Sequence, residues 1–383
     1  MPADDPVALT RALVRCPTVT PDAAAALDLL EARLARAGFA CHRLRFEGDG
    51  SYPVDNLYAR AGAGGRHLAF AGHVDVVPPG PAEAWRHGPF SGALEDGCVH
   101  GRGAADMKSG VAAFVVAAER LLATGPQPGG TISLLITGDE EGDAVNGTAK
   151  LVRWAVERGE RFDACLVGEP TSVDALGDTA KIGRRGSLTG TLTVRGRQGH
   201  TAYPQRADNA AHRLVAVLER LIATPLDQGT AWFEPSNLQV ASIDIGNPAA
   251  NVIPGEATAR FNIRFNDRHD RSSLERWLVQ QIAPLAPDHE LSLTGNAEPF
   301  LTEPGTLTEL LAEAVAAETG RRPQFATSGG TSDARFFPPH CPVLEFGLVG
   351  TTMHQADEHV RAAEIEGLTR IYQRFARRFL AAA

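Results

Sequence analysis

Short apolar strands alternate with amphipathic helices at both ends of this chain of 383 residues. The predicted strands cover 67–71, 131–137, 163–167 and 342–346, and the predicted helices cover 24–37, 107–123, 305–318 and 362–380. Parallel strands are connected through helices, and strands buried on both faces are apolar almost throughout. The alternation therefore predicts an α/β fold, built on a mostly parallel sheet with helices on both faces.

The middle of the chain follows a different pattern, in which apolar and polar residues alternate with period two. This alternation covers 188–194 and 257–265 and is typical of half-buried strands. The other elements predicted there are helices at 208–223 and 271–283 and strands near 238–245 and 290–294. The order β-α-β-β-α-β predicts a ferredoxin-like α+β domain over 182–295, inserted into an α/β domain made of 1–181 and 296–383.

Composition argues against several classes of protein. Acidic residues number 46 and basic residues 37, so the formal net charge of −9 argues against nucleic acid as a partner. The longest apolar stretches, such as 111–118, are far shorter than the roughly 20 residues that cross a bilayer, so we expect no membrane partner. The five cysteines are scattered and form no CxxC pair. This favours reduced thiols in the cytoplasm and leaves any metal to other ligands.

Four predicted strands run directly into loops that carry histidine or carboxylate side chains. The loops contain GHVD (72–75), DEE (139–141), GEP (168–170) and the stretch that ends at His354. Ligands of α/β proteins collect at the carboxyl ends of parallel strands, so these loops should meet at one edge of the sheet. Asp106, which precedes the predicted helix at 107–123, could reach the same edge. The residues expected to crowd together are His73, Asp106, Glu140, Glu141, Glu169 and His354.

Such a cluster needs positive charge. Two carboxylates about 4 Å apart repel by roughly 4 kcal/mol at an effective dielectric constant near 20, and several such pairs would exceed the stability of an ordinary domain. Mixed imidazole and carboxylate ligands suit zinc, with cobalt or manganese as substitutes. The number of ligands fits two metal ions that share a bridging carboxylate, an arrangement that activates water for hydrolysis.

Each of these residues has an ordinary alternative when it is taken alone. Asp106 could cap the helix that follows it. Glu140 and Glu141 could form a solvated pair in a turn, and His73 or His354 could be a satisfied or surface histidine. The joint pattern of four strand-end sites favours the metal cluster over these alternatives.

Eight motifs extend over nearly the whole chain, namely GHVDVVPPG (72–80), GRGAADMKSG (101–110), TGDEEGDAVNGT (137–148), GEPTS (168–172), KIGRRGS (181–187), GRQGHTAYP (196–204), NVIPGEA (251–257) and SGGTSDARF (328–336). Together they resemble the M20 family of metal-dependent amidohydrolases and peptidases. KIGRRGS and SGGTSDARF are most similar to its succinyl-diaminopimelate desuccinylase branch. The resemblance implies cleavage of N-succinyl-LL-2,6-diaminopimelate to succinate and LL-2,6-diaminopimelate, a step in lysine and diaminopimelate biosynthesis.

The resemblance also implies two zinc ions in each subunit, with cobalt as a substitute at one site. One ion would be held by His73, Asp106 and Glu169. The other would be held by Asp106, Glu141 and His354. Asp106 would then bridge the two ions.

Further roles are implied for residues outside the ligand set. Glu140 matches the general base, which takes a proton from the attacking water and passes it to the leaving amine. Asp75 matches the carboxylate that orients the imidazole of His73, and a loop-capping aspartate is the alternative. His200 matches a histidine that stabilises the oxyanion in the neighbouring subunit, and a simple turn histidine is the alternative. That role implies a homodimer through the inserted domain, which would also act as a lid.

Six residues lie in motifs that contact substrate in this branch. The succinylated substrate carries three carboxylates and one ammonium group and therefore needs forked donors, a need that Arg184 fits best. Arg264 lies on an alternating strand and could instead face solvent. The six residues are Arg184, Tyr203, Asn251, Arg264, Gly330 and Thr331.

Three positions depart from the pattern of the branch, namely Val74, Ala334 and Gly350, where Thr, Gly and Asn are usual. Gly350 offers no amide donor, so a substrate contact there is in doubt. Within the M20 family, an acetylornithine deacetylase or another aminoacylase or carboxypeptidase is an alternative to the desuccinylase branch. A non-catalytic binding protein on the same fold is a second, and it should show broken ligands or lack Glu140, neither of which is seen in this sequence.

Overall fold

The computed structural model describes residues 4–123 and 129–382 of the chain. Its helices are α1 Pro6–Val14, α2 Ala24–Arg36, α3 Ser109–Ala123, α4 Thr148–Glu157, α5 Ala210–Ala223, α6 Arg271–Ile282, α7 Thr306–Thr319 and α8 Ala362–Ala381. The strands of the first half are β1 Ala40–Gly48, β2 Ser51–Gly62, β3 His67–His73, β4 Ala93–Glu95, β5 Cys98–His100, β6 Thr131–Thr137, β7 Ala164–Val167, β8 Thr179–Lys181, β9 Gly183–Arg184 and β10 Gly186–Arg195. Those of the second half are β11 Gly199–His200, β12 Asn237–Asp244, β13 Val252–Ile253, β14 Glu256–Phe265, β15 His289–Ala297, β16 Phe300–Leu301, β17 Gln324–Ala326, β18 Val343–Glu345 and β19 His359–Arg361.

The chain divides into two compact units. The first unit comprises Met1–Ile182, Thr302–Ala326 and Ser332–Ala383. The second comprises Gly183–Leu301 together with the short segment Thr327–Thr331. The second unit is therefore built mainly from one continuous stretch, and the first from segments on either side of it.

A single eight-stranded sheet organises the first unit, in the order β1-β2-β6-β3-β7-β18-β8-β17. Four of its seven pairings are parallel, and they include the run from β6 through β3 and β7 to β18. Every residue of β3, β6 and β7 is buried, so both faces of the sheet are covered. This confirms the predicted α/β fold with a mostly parallel sheet. The pairings β1–β2, β2–β6 and β8–β18 are antiparallel.

Helix α8 packs its apolar stripe into this unit. The Tyr372 ring lies 5.9 Å from the ring of Phe70 on β3 and 5.7 Å from that of Phe114 on α3. Its hydroxyl donates to the main-chain oxygen of Phe346 at 2.5 Å, which satisfies the one polar group of a buried ring.

Within residues 4–123 and 129–382, no helix is both long and apolar enough to cross a membrane.

Helix α3 begins at Ser109, two residues later than predicted. An irregular turn, Ala104–Lys108, precedes it, and Asp106 has an extended backbone there, with φ −122° and ψ 99°. Asp106 is therefore not the N-cap of α3. Gly103 enters the turn with φ +82°, and a Cβ atom at this position would lie 2.5 Å from Cγ1 of Val76. Only glycine combines that dihedral angle with such a close approach.

A small antiparallel sheet, β19-β5-β4, supports two loops of the first unit. His100 at the end of β5 pairs with His359 at the start of β19. The chain after β5 leads to Asp106, and the chain before β19 contains His354. The pairing therefore brings together two segments that the sequence places about 250 residues apart.

The second unit contains the predicted β-α-β-β-α-β order, in β10, α5, β12, β14, α6 and β15. Its antiparallel sheet has the order β12-β14-β10-β15, and the apolar residues of α5 and α6 form one core with the sheet. Asn209 caps α5, and a capping box of Asp270 and Ser273 begins α6. The ferredoxin-like part of the fold prediction is confirmed.

Asp227 organises the loop between α5 and β12. Its carboxylate accepts hydrogen bonds from Gly229 N–H at 2.6 Å and from the side-chain amide of Asn266 at 2.7 Å. The Ser236 N–H lies 3.2 Å from both carboxylate oxygens. Burial would raise the pKa of Asp227, but hydrogen bonds from Ser236, Gly229 and Asn266 outweigh burial and lower the pKa from 3.8 to about 2.

We therefore predict that Asp227→Asn destabilises the protein in a pH-dependent way. The depressed pKa stabilises the folded state above about pH 4, and this contribution is lost as the pH falls towards about 2. At neutral pH the loss should be about 1–2 kcal/mol in free energy of unfolding, after allowance for solvent screening. Urea unfolding of wild type and variant at several pH values measures the difference. Asp267→Asn, at the neighbouring exposed aspartate, is the control and should change stability by less than about 0.5 kcal/mol. A pH-independent difference would contradict the assignment.

Candidate active site

The carboxyl ends of four strands meet at one edge of the main sheet. His73 ends β3 and pairs in register with Thr137 at the end of β6, which leads to Glu140 and Glu141. Glu169 follows β7, and the segment that contains His354 follows β18. Because β6, β3, β7 and β18 are parallel, the loops after them emerge on the same side.

Asp106 lies between the two histidines of the predicted cluster. Its Oδ1 is 3.2 Å from Nε2 of His73, and its Oδ2 is 3.4 Å from Nε2 of His354. The same His354 nitrogen is 2.9 Å from Oε1 of Glu141, and Nε2 of His73 is 3.7 Å from Oε1 of Glu169. Each oxygen of the Asp106 carboxylate therefore faces a different imidazole, which is the arrangement expected of a bridging ligand.

The remaining predicted member, Glu140, lies in the same cluster. One ligand atom each from His73, Glu140 and Glu169 lie within 4.8 Å of one another, as do atoms from His73, Asp106 and Glu141. The sequence predicts Asp106 as the partner of His73 and Glu169, and the first of these groups has Glu140 in its place. The Glu140 carboxylate therefore lies close to the side-chain atoms of His73 and Glu169. The cluster thus contains all six residues that the sequence predicts to converge.

The electrostatics of this cluster favour a bound cation. Burial raises the pKa of both Glu140 and Glu169 well above their usual range, and the charge of Asp106 raises each further. Burial opposes protonation of His73, but the contact with Asp106 and the charge of Glu169 raise its pKa well above the usual range. Burial and crowded negative charge therefore both oppose ionisation of these carboxyl groups unless positive charge lies beside them. A divalent ion would supply that positive charge, and mixed carboxylate and imidazole groups are ligands that suit zinc.

Asp75 holds the turn that carries Glu140 and Glu141. Its carboxylate accepts hydrogen bonds from Glu140 N–H at 3.2 Å, Glu141 N–H at 3.1 Å and the Thr20 hydroxyl at 2.7 Å. The Nδ1 atom of His73 lies 2.9 Å from the main-chain oxygen of Asp75 and 3.6 Å from its Oδ1. Asp75 therefore contacts the imidazole mainly through its carbonyl group, while its carboxylate fixes the neighbouring turn.

Two further buried carboxylates shape the loops of the site and were not among the predicted residues. Asp139 accepts hydrogen bonds from the Tyr52 hydroxyl at 2.7 Å, Val145 N–H at 3.0 Å and Asn146 N–H at 3.1 Å. Glu358 accepts hydrogen bonds from the loop that leads to Asp106. In the sequence, Asp139 directly precedes Glu140 and Glu358 lies four residues after His354, and no periodic pattern marks either residue.

The residues predicted to bind substrate all belong to the second unit, whereas the cluster belongs to the first. His200, Asn251 and Tyr203 lie close together on an exposed part of the second unit. His200 on β11 pairs with Val252 on β13, and Thr201 N–H donates to the main-chain oxygen of Asn251 at 3.0 Å. The ring of Tyr203 lies 5.7 Å from that of His200, and 51% of the Tyr203 surface is exposed.

Arg184 on β9 is held against the glycine-rich loop at 328–330. Its Nη1 donates to the main-chain oxygen of Gly330 at 3.1 Å and lies 3.4 Å from that of Ser328. Gly329 has φ +104°, and a Cβ atom there would lie 2.5 Å from this nitrogen. Glycine is therefore required for the guanidinium to pack on the loop, and Thr331 follows directly in the chain.

Two further arginines, Arg185 and Arg264, lie near each other on the same unit. Arg264 is half-buried on β14, and burial together with the positive charge of Arg185 lowers its pKa. Two guanidinium groups held near each other create a positive potential that an anion relieves. The second unit thus offers cationic groups, although the chain as a whole is negatively charged.

The sequence profile of peptidase family M20/M25/M40 matches residues 69–378. The chain belongs to this family. The match covers every residue of the cluster described above, from His73 to His354.

Two full-length relatives of this M20 chain carry the same name. A succinyl-diaminopimelate desuccinylase of Rhodospirillum centenum is 56% identical over 381 residues, covering 100% of this chain and 99% of the relative. A protein of the same name from Rhodospirillum rubrum is 55% identical over 383 residues, covering 97% of each.

Solved structures of M20 proteins share the fold. An M20 family metallo-carboxypeptidase from Sulfolobus solfataricus superposes with a TM-score of 0.81 at 16% identity, covering 99% of this chain and 100% of the other. A dinuclear metal binding peptidase of the family from Bacillus subtilis gives a TM-score of 0.74 at 16% identity, covering 99% and 98%. At such low identity these matches establish the fold alone.

The three departures from the M20 branch pattern fit their surroundings. Val74 is buried, and its main-chain oxygen accepts a hydrogen bond from the Thr18 hydroxyl. Ala334 is buried in the turn Asp333–Phe336. At Gly350, a Cβ atom would lie 3.1 Å from Cβ of Pro170, which is a tight contact. The backbone therefore leaves little room for a side chain at Gly350.

Proposed function

We propose that this M20 protein hydrolyses N-succinyl-LL-2,6-diaminopimelate to succinate and LL-2,6-diaminopimelate, within lysine and diaminopimelate biosynthesis. The observation that carries the proposal is the position of Asp106, whose two oxygens face His73 and His354. That arrangement supports a dinuclear hydrolase. The substrate is supported by the two relatives named above, which are more than half identical over nearly their full length.

The proposal assigns two zinc ions to the cluster, with cobalt as a substitute at one site. His73, Asp106 and Glu169 would hold one ion. Asp106, Glu141 and His354 would hold the other. When bound, such ions polarise the amide carbonyl and lower the pKa of water towards about 7.

Glu140 serves as the proton carrier of the reaction. Its carboxylate takes a proton from water as the water oxygen bonds to the amide carbon, and then delivers it to the nitrogen as the C–N bond breaks. The new carboxyl group releases the second proton of the water, which the amine takes up, so the products are succinate and an ammonium group. Asp75 keeps the Glu140 carboxylate in reach of the cluster because it binds the N–H groups of Glu140 and Glu141.

The second unit provides donors for the substrate carboxylates. Arg184, held by main-chain oxygens at 328 and 330, presents a forked group that suits a carboxylate. Arg264, beside Arg185, is a further anion-binding group. Gly330 and Thr331 belong to the glycine-rich loop that contacts Arg184. Tyr203 and Asn251 lie on the exposed segment beside His200.

His200 is assigned to stabilise the oxyanion in the active site of a partner subunit, so the proposal includes a homodimer through the second unit. Strand β12 is an edge strand of its sheet among the residues that the structure describes. Ile243 on β12 is 53% exposed, and Ile222 on α5 is 63% exposed. An unpaired edge beside exposed apolar residues favours association between copies of the chain.

The proposed location is the cytoplasm. All five cysteines are free, and Cys165 and Cys341 are buried. Free thiols are typical of a reducing compartment.

We expect the purified protein to hydrolyse N-succinyl-LL-2,6-diaminopimelate in a zinc-dependent manner. A parallel assay with N-acetylornithine, with and without chelator and added zinc, tests this. The succinylated substrate should give a kcat/KM at least about 100-fold higher, since a site built for its two extra carboxylates rejects a substrate that lacks them. The reverse preference would make the protein an acetylornithine deacetylase. Metal binding without hydrolysis of either substrate would indicate a binding protein.

Glu140→Gln should separate proton transfer from metal binding. We expect kcat to fall by about 10²- to 10⁴-fold, because the amide cannot accept the proton of the attacking water. Zinc content, measured by atomic absorption, should stay at the wild-type value, whereas His73→Ala should reduce it. Glu157→Gln, at an exposed position of α4, is the matched control and should keep full activity. Retained activity in Glu140→Gln would refute the role of Glu140.

The proposed dimer predicts a sedimenting species of twice the chain mass of 40.6 kDa. Ile243→Glu should convert it to monomer, because a charge on the edge strand opposes pairing. Leu94→Glu changes an apolar residue of similar exposure, 47%, on the first unit and should leave the dimer intact. Sedimentation velocity at micromolar concentration distinguishes these cases. A monomeric wild type, or a dimeric Ile243→Glu variant, would contradict the assignment.

A further inference from the structure

Glu358 is a fully buried carboxylate that receives four hydrogen bonds. Its Oε2 accepts from Nη1 of Arg102 at 2.6 Å and from Gly103 N–H at 3.0 Å. Its Oε1 accepts from Ala105 N–H at 2.8 Å and from Asp106 N–H at 3.2 Å. A buried carboxylate is stable only when such partners compensate its lost hydration, and here they all come from one loop.

The backbone of Glu358 binds the same loop. Its main-chain oxygen accepts a hydrogen bond from Gly101 N–H at 2.8 Å. Arg102, itself only 2% exposed, lies with Nη1 3.3 Å from the main-chain oxygen of Gln355. The segment 101–106 is therefore joined to the segment 355–358 mainly through the backbone and side chain of Glu358.

These two segments carry metal ligands of the proposed site. Asp106 receives one of the Glu358 hydrogen bonds directly on its own N–H group. His354 lies four residues before Glu358 and faces the same Asp106 carboxylate at 3.4 Å. A shift of the Asp106 backbone would therefore break a hydrogen bond to a buried carboxylate.

We propose that Glu358 is a positioning residue that fixes Asp106 relative to His354 and so sets the affinity of this cluster for Zn²⁺. This inference rests on the proposed function. A purely structural role would stabilise the fold without changing metal affinity. A positioning role changes metal affinity in a protein that is still folded, as loss of groups that orient metal ligands commonly does.

The test is Zn²⁺ binding to the full-length protein, measured by competition with a chromophoric chelator. Glu358→Gln keeps the size of the side chain but turns an amide N–H₂ group towards N–H donors. We expect Zn²⁺ binding to weaken by about 10- to 100-fold and kcat to fall with KM little changed. Circular dichroism and thermal unfolding establish that the variant is folded at the assay temperature.

Glu119→Gln is the matched control for loss of a buried ion pair. Glu119 on α3 accepts two hydrogen bonds from Arg33, at 2.7 and 2.6 Å. It lies about 15 Å along the helix axis from Ser109 and hence away from the cluster. This variant should lose stability and keep wild-type Zn²⁺ affinity.

If Glu358→Gln does not fold, Glu358→Asp replaces it in the test. The shorter side chain keeps the charge but cannot reach both pairs of donors, so a loss of about 3- to 10-fold in Zn²⁺ affinity is expected. Wild-type affinity in either folded variant overturns the inference, as does an equal loss in Glu119→Gln. Failure of the wild-type protein to bind Zn²⁺ would instead refute the proposed metal site.

Discussion

Repulsion among carboxylates at one edge of the main sheet is the constraint on which the first unit depends. Glu140, Glu141 and Glu169 converge there because parallel strands deliver their loops to the same place, and the pairing of β5 with β19 brings Asp106 to them. Four negative charges at such distances exceed what an ordinary domain tolerates without compensating positive charge. Asp106 lies between the two histidines, one facing each of its carboxylate oxygens, and this is where we propose that the positive charge binds.

Other buried carboxylates in the same unit do not face the cluster but hold its loops. Asp75 binds the N–H groups of the turn at 140–141, Asp139 binds those at 145–146, and Glu358 binds those at 103–106. Backbone N–H groups in irregular loops have no acceptor in a helix or sheet, and one carboxylate can accept hydrogen bonds from several of them. In this unit, one set of carboxylates forms the candidate metal site, and a second set holds the loops that carry the first.

Much of the fold could be predicted from periodicity, because β3, β6, β7 and the ferredoxin-like elements show clear apolar patterns. The hairpin of β1 and β2 was not predicted, since β1 is largely exposed and carries alternating charged residues. An irregular turn at Ala104–Lys108 replaces the first residues of the predicted helix. The turn is entered through Gly103, whose close approach to Val76 is a tertiary contact and leaves no periodic signal in the sequence. Glu358 escaped prediction because its partners lie more than 250 residues away and leave no periodic signal.

Anomalous diffraction at the zinc edge, from crystals of the zinc-loaded protein, measures the central claim most directly. The account predicts two zinc peaks about 3.5–4 Å apart, one beside His73 and Glu169 and the other beside His354 and Glu141, with Asp106 between them. A single peak without contact to Asp106, or two peaks elsewhere on the chain, would contradict it.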